Sequence, residues 1–171
     1  MKSGFGSLEP KWVLYIENRP PLPEYEHENF RLLGNGEAAE VIAQTSNHWR
    51  KVFSIMAKIS FALFETNCNT WQEYRDTKLL TKQGFEAISY LPFNKGEARA
   101  YFSIVCGFTY AGTQLDLDSL IPHQTHAKLL LVPGQKCLVT PYFDWRQLNN
   151  ELLEKVIDIM NGQTVLESRS D

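Results

Sequence analysis

The chain has 171 residues, 43% of them hydrophobic and 22% charged, with a formal net charge of −3. A domain of that length buries roughly 70% of its unfolded surface, so it needs neither a disulfide nor a structural metal to hold a core. The mild acidity excludes a general electrostatic footprint for polyanions, while leaving a local basic patch open. Cys68, Cys106 and Cys137 are odd in number, widely spaced and never in a Cys-x-x-Cys pair, which speaks against a disulfide scaffold or a four-Cys zinc site. The first residues carry no apolar signal region, and no run approaches the roughly 18 apolar residues of a membrane span. The expectation is a cytoplasmic protein with no membrane partner.

In chain order, Trp12-Val13-Leu14-Tyr15-Ile16 predicts a first strand, ended by Pro20, Pro21 and Pro23. Residues 24–29 are polar loop. Phe30-Arg31-Leu32-Leu33 predicts a short second strand closing on Gly34-Asn35-Gly36, and Glu37 to Ala43 a short helix. Ser46 and Asn47 can cap a helix over roughly 48–65, whose apolar stripe is Trp49, Val52, Phe53, Met56, Ile59 and Leu63. Thr70-Trp71-Gln72-Glu73 fits a capping box for a helix ending by Gly84. Phe85 to Tyr90 predicts a strand, and Pro92 to Gly96 a turn.

The stretch from Ala98 to Phe108 fits helix or strand, and its β-branched and aromatic content favours strand. Leu115 to Thr125 is polar and proline-broken. Two short apolar runs around Pro133-Gly134 predict buried strands. The second of these runs enters the last helix through Tyr142-Phe143-Asp144-Trp145. Asp144 and Gln147 suit a capping box there, with the stripe Leu148, Leu152, Leu153, Val156 and Ile159, and a stop at Asn161-Gly162. The pattern predicts a single-domain, three-layer α/β/α fold with a short, mostly parallel sheet. Its core covers about 11–161, with flexible ends at 1–10 and 163–171.

Two constellations could carry chemistry. Gly34-Asn35-Gly36-Glu37 follows a strand and opens a helix, so its N–H groups could face an anion or carbonyl, with Asn35 or Glu37 orienting a water or base edge. The alternative is a plain tight turn. Thr140-Pro141-Tyr142-Phe143-Asp144-Trp145 places aromatics and a carboxylate at a strand end, where ligands bind in open α/β sheets. The alternative is that Asp144 only caps a helix. Asp116, Asp118, His123 and His126 raise a metal-dependent hydrolase as a further reading. However, His-x-x-His is not a zinc spacing and Pro122 breaks a helix there, so a solvated loop and no metal are expected. His48 is a candidate base, though a lone His beside an apolar stripe more often packs or sits at the surface.

The order of Leu32-Leu33-Gly34-Asn35-Gly36-Glu37, Asn47-His48-Trp49, Gly84 to Pro92, Tyr101 to Gly107 and Leu138-Val139-Thr140-Pro141-Tyr142 resembles the layout of the uracil-DNA glycosylase superfamily. The resemblance covers roughly 30–160 and implies a three-layer fold. It implies a water-activating Asp or Asn in the turn after the first strand, here Asn35 or Glu37. It also implies an aromatic that stacks on a flipped base, here Tyr90 or Phe93, and a His-Pro-Ser loop after the last strand. That loop is Thr140-Pro141-Tyr142 here, without the histidine, and the first motif lacks its usual proline. The functional expectation is therefore a pocket for a planar base or nucleotide, formed by Gly34, Asn35, Gly36, Glu37, Tyr90, Phe93, Thr140, Tyr142, Asp144 and Trp145. It needs no cofactor, and a nucleobase or nucleic acid is its expected partner. A non-catalytic module binding a protein or small ligand is the alternative.

Overall fold

The computed structural model describes residues 3–26, 29–93 and 101–169, the stretch 163–169 by backbone alone. Its frame is one eight-stranded sheet, in the order β3-β1-β4-β2-β5-β8-β7-β6. The strands are β1 (Gly4–Gly6), β2 (Trp12–Tyr15), β3 (Phe30–Arg31), β4 (Glu86–Ser89), β5 (Phe102–Cys106), β6 (Ile121–Pro122), β7 (Leu130–Leu131) and β8 (Cys137–Thr140). The helices are α1 (Glu37–Gln44), α2 (Asn47–Leu63), α3 (Trp71–Thr77), α4 (Phe108–Gln114) and α5 (Asn150–Arg169).

The four central strands, β4, β2, β5 and β8, are mutually parallel, with Tyr15 opposite both Ser89 and Val105, and Val105 opposite Val139. All four therefore end at the same edge. Strands buried on both faces read as continuous apolar runs, as Trp12 to Ile16 does. Trp12, Leu14 and Ile16 join the core under α1, α2, α3 and α5, while Val13 and Tyr15 join the one under α4 and the 115–132 excursion. The expected α/β class with a mostly parallel sheet is what the structure contains; on the second face, among the described residues, the only helix longer than one turn is α4.

Local signals explain most boundaries. Ser46 caps α2 by accepting from His48 N–H, and that helix buries Trp49, Val52, Phe53, Met56 and Ile59. Thr70 Oγ1 accepts from Glu73 N–H at 3.1 Å, and Glu73 reaches back to Asn69 N–H at 2.8 Å.

Three expectations need correction. Within the stretch 1–10, the described residues 3–10 are not a loose end, because β1 inserts between β3 and β4. A Cβ on Gly4 would lie 1.9 Å from the Ile88 carbonyl oxygen, so only glycine fits that approach, and a two-glycine strand shows no apolar alternation. The last helix begins at Asn150 rather than Asp144. Asn149 Oδ1 accepts from Leu152 N–H at 3.0 Å and takes the capping role, while Asp144 closes one tight turn on Arg146 N–H at 2.8 Å. The same helix runs through Gly162 to Arg169, because nothing after Gly162 breaks it. The expected turn at Pro92 to Gly96 lies partly outside the described residues.

A buried acid ties the starts of two core strands to the helices. Glu86 opens β4 and is fully buried. Trp12 Nε1–H donates to Ser60 Oγ at 2.9 Å and the Ser60 hydroxyl donates to Glu86 Oε2. The Tyr74 hydroxyl donates to the same oxygen at 2.7 Å, and Leu80 N–H donates to Oε1 at 2.8 Å. Three of these four donors point at the carboxylate, and the fourth, Trp12, reaches it through Ser60. Burial pushes the Glu86 carboxyl upward from its ordinary range, and the donors from Ser60, Leu80 and Tyr74 act against that push. Glu86→Ala strands three buried donors, so it should destabilise the fold by about 3 kcal/mol. A urea denaturation series checks this; a midpoint equal to the wild type would show that the cluster holds nothing together.

Candidate functional site at the carboxyl edge of the sheet

The parallel register delivers the segments after β2, β4, β5 and β8 to one edge. A cavity of about 330 Å³ opens there between the segments after β2, β5 and β8. Its aromatic lining is Phe108, Tyr110 and Tyr142, its polar groups are Glu17, Asn18 and Gln147, and Cys106, Gly107 and Thr109 complete it. Gly107 holds φ +93°, and a Cβ there would come within 3.3 Å of the Tyr142 ring, so the bare backbone lets that ring lie against the end of β5.

A hydrogen-bonded chain crosses the mouth. The Tyr142 hydroxyl donates to Asn18 Oδ1 at 3.1 Å. His48 Nε2, at the first turn of α2, bonds the same Tyr142 oxygen. Because the Tyr142 hydrogen goes to Asn18, His48 Nε2 is the donor, which leaves Nδ1 as an acceptor. The Asn18 side-chain amide remains to donate to a ligand. Beside the chain, Lys51 Nζ lies 3.1 Å from Asp144 Oδ2.

Electrostatics keep the chain neutral. Burial lowers the His48 pKa, Lys51 lowers it further, and Asp144 opposes both. Burial pushes the Tyr142 phenol above its usual range. The Cys106 thiol is pushed up to about 12 by burial, although Phe143 N–H donates to its sulfur at 3.3 Å. A thiol so protonated is no nucleophile. The chain of Asn18, Tyr142 and His48 can therefore offer directed hydrogen bonds and ring faces, with the Glu17 carboxylate beside it in the lining.

Of the residues singled out from sequence, Tyr142 lines this cavity, and His48 joins it through the tyrosine. The glycine turn does not. β1 runs antiparallel to β4 and β3 parallel to β1, so the chain leaving β3 heads for the opposite edge, where Leu33 bridges Thr81 ahead of β4. Gly34, Asn35, Gly36 and Glu37 are thus separated from Tyr142 by the length of the sheet. Glu37 accepts from Gly34 N–H at 3.1 Å, from Arg31 Nη2 at 2.9 Å and from the Tyr25 hydroxyl. Burial opposes its ionisation, but those donors outweigh it and hold the carboxyl below its ordinary range. It is the anchor of a turn. Asn35 is exposed.

Phe93 is buried edge-on against Tyr15, and Thr140 is buried with its hydroxyl on Pro141 O at 2.8 Å, so neither presents a surface. The Tyr90 ring has the Arg19 guanidinium 4.0 Å over its face, while its hydroxyl is buried without a partner. Asp144 pairs with Lys51, and Trp145 points outward at 40% exposure.

Glu17, Asn18 and Gly107 to Tyr110 escaped the sequence reading. The available signal was the end of the first strand followed by a proline cluster, Ile16-Glu17-Asn18-Arg19-Pro20. Asp116 accepts from Asp118 N–H at 3.1 Å and His126 pairs with Glu151 at 3.1 Å. Among the described residues no group of three or more His, Cys, Asp or Glu could hold a metal. A larger groove of about 650 Å³, lined by Leu8, Lys11, Leu32, Lys82 and Phe85, lies at the opposite edge, and its wall is mainly apolar.

The His48 imidazole should titrate below 6.5 in an NMR pH series. Asp144→Asn should lower it further, because the removed charge is the one that raises it. Since the folded pKa is depressed, the stability associated with neutral His48 is present above 6.5 and is lost as pH falls through the folded value. A His48 titrating above 6.5, or rising in Asp144→Asn, would contradict this geometry.

No curated protein and no solved structure matches the chain. One family model does, over residues 3–161, which takes in every strand and the whole carboxyl-edge cavity. The chain belongs to that family, described as a family of unknown function, DUF6942.

Proposed function

We propose that the chain binds a planar, hydrogen-bonding ligand of the nucleobase class in the cavity beside Asn18 and Tyr142, within a frame resembling the uracil-DNA glycosylases. The observation that carries this reading is the Asn18–Tyr142–His48 chain. It fixes one amide donor beside three aromatic side chains, at an edge where four parallel strands end, with His48 holding the tyrosine from behind the cavity lining. Crevices beyond the carboxyl ends of parallel strands, with a few convergent polar groups, are the usual sites of such ligands. The polar anchor of the reading is Asn18 rather than Asn35. Asn18 stands in the turn after the first core strand, where the resembled family keeps its water-activating Asp or Asn, and Pro20 follows it.

Base excision is a second reading, favoured by that placement of Asn18. Excision requires flipping a base at a few kcal/mol into an aromatic pocket. Two features set the binding role ahead of it: Thr140 stands where the family has histidine, and Tyr142 already occupies the Asn18 carbonyl.

Calorimetry and thermal melting with uracil, cytosine, adenine and guanine test the proposal. A ligand at about 100 times its Kd should stabilise the fold by about 2.7 kcal/mol. Asn18→Ala should weaken binding about tenfold or more, as loss of a ligand hydrogen bond does. No stabilisation by any base at millimolar concentration would overturn it. A uracil-containing oligonucleotide then separates the readings: an abasic product that disappears in Asn18→Ala makes the chain an enzyme, and no product leaves binding alone.

A further inference from the structure

The net charge of −3 conceals a segregated surface. α2 carries Arg50, Lys51 and Lys58 and no Asp or Glu along its whole length. α5 by contrast carries Glu151, Glu154 and Asp158 against Lys155, and α3 carries Glu73 and Asp76 with Arg75. On the outer side of α2 and α3 the cations alternate with indole rings. Lys58 Nζ lies 5.6 Å from the Trp145 ring centre and 4.8 Å from that of Trp71, and the Arg75 guanidinium lies 5.4 Å from that of Trp71. The row therefore reads Trp145, Lys58, Trp71, Arg75. Asp144 offsets Lys51 and Asp76 offsets Arg75. Among the described residues Arg50, Lys58 and Arg146 form no ion pair, and set against Glu73 of α3 these three cations leave the face net positive.

We propose that this face of α2 and α3 binds single-stranded nucleic acid, with Trp145 and Trp71 stacking on bases and Arg50, Lys58 and Arg146 neutralising phosphates. The chemistry that fits is a polyanion whose charges alternate with planar rings, because indoles and cations alternate here. Base–aromatic stacking and phosphate neutralisation are the two contributions single-strand grooves combine. A duplex hides its base faces and would leave Trp145 idle. Lys58, held between two indoles, yields its place to a base while its ammonium moves to a phosphate. The residues are distinct from those of the cavity, so this surface stands whether or not the nucleobase reading does.

Fluorescence anisotropy with labelled dT10 and rU10, a duplex of the same length, and heparin as a polyanion without bases tests it. Either single strand should bind at low salt, ahead of the duplex, and displace heparin. Trp145→Ala should weaken strand binding about tenfold while leaving free-base binding at the cavity unchanged. Arg50→Ala should reduce the slope of log K against log salt by about 0.7. Asn18→Ala should keep strand binding. No binding of either strand at low salt would overturn the proposal. Heparin binding as tightly as dT10 with Trp145→Ala harmless, or strand binding lost in Asn18→Ala with the fold intact, would also overturn it.

Discussion

The shared direction of β4, β2, β5 and β8 is the constraint on which the rest of the molecule depends. Parallel strands end together, so the loops that follow them must meet at one edge. Here that edge gathers Asn18, Gly107 and Tyr142 from positions far apart in the chain. The tight turn between α1 and α2 completes the arrangement by starting α2 at the same edge, which sets His48 against Tyr142. A polar site then follows from strand direction and one helix start, without any loop having to fold on its own.

The opposite edge does different work. There Glu86 gathers Ser60 of α2, Tyr74 of α3 and the N–H of Leu80 onto one carboxylate, with Trp12 of β2 behind Ser60. A fully satisfied buried polar cluster specifies one packing of strands against helices, whereas a half-satisfied one would be worse than an apolar core. Stability and the candidate site thus sit at opposite ends of the same strands. The cavity residues are free to be polar and partly exposed because the strands are held from below.

Much of the fold was legible in residues that act locally. The stripe from Trp49 to Ile59, the Ser46 and Thr70 caps, and the apolar runs at Trp12 and Leu138 each state their own conformation. What stayed hidden depends on partners distant in sequence. β1 is strand only because Gly4 and Gly6 lie against the backbone of β4. Asp144 looked like a cap until Asn149 took that role five positions later and Lys51 of α2 drew its carboxylate aside. The glycine turn at Gly34 to Gly36 was correctly read as a strand-to-helix turn. Its edge was misjudged, because strand direction is a property of pairing that one strand cannot announce. Asn18 carries no motif; it became visible when Tyr142 was found to reach it. The net charge left a local basic patch open, since a sum over the chain says nothing about where α2 puts its lysines.

The central claim is that ligand chemistry belongs to the carboxyl edge, at Asn18 and Tyr142. The most direct measurement is a two-dimensional amide NMR titration with uracil and the other bases, following backbone and Asn side-chain signals. The account predicts saturable shifts concentrated at the Asn18 side-chain amide and at Gly107 to Tyr110 and Tyr142. Shifts centred on Gly34 to Glu37, or none anywhere at saturating base, would contradict it.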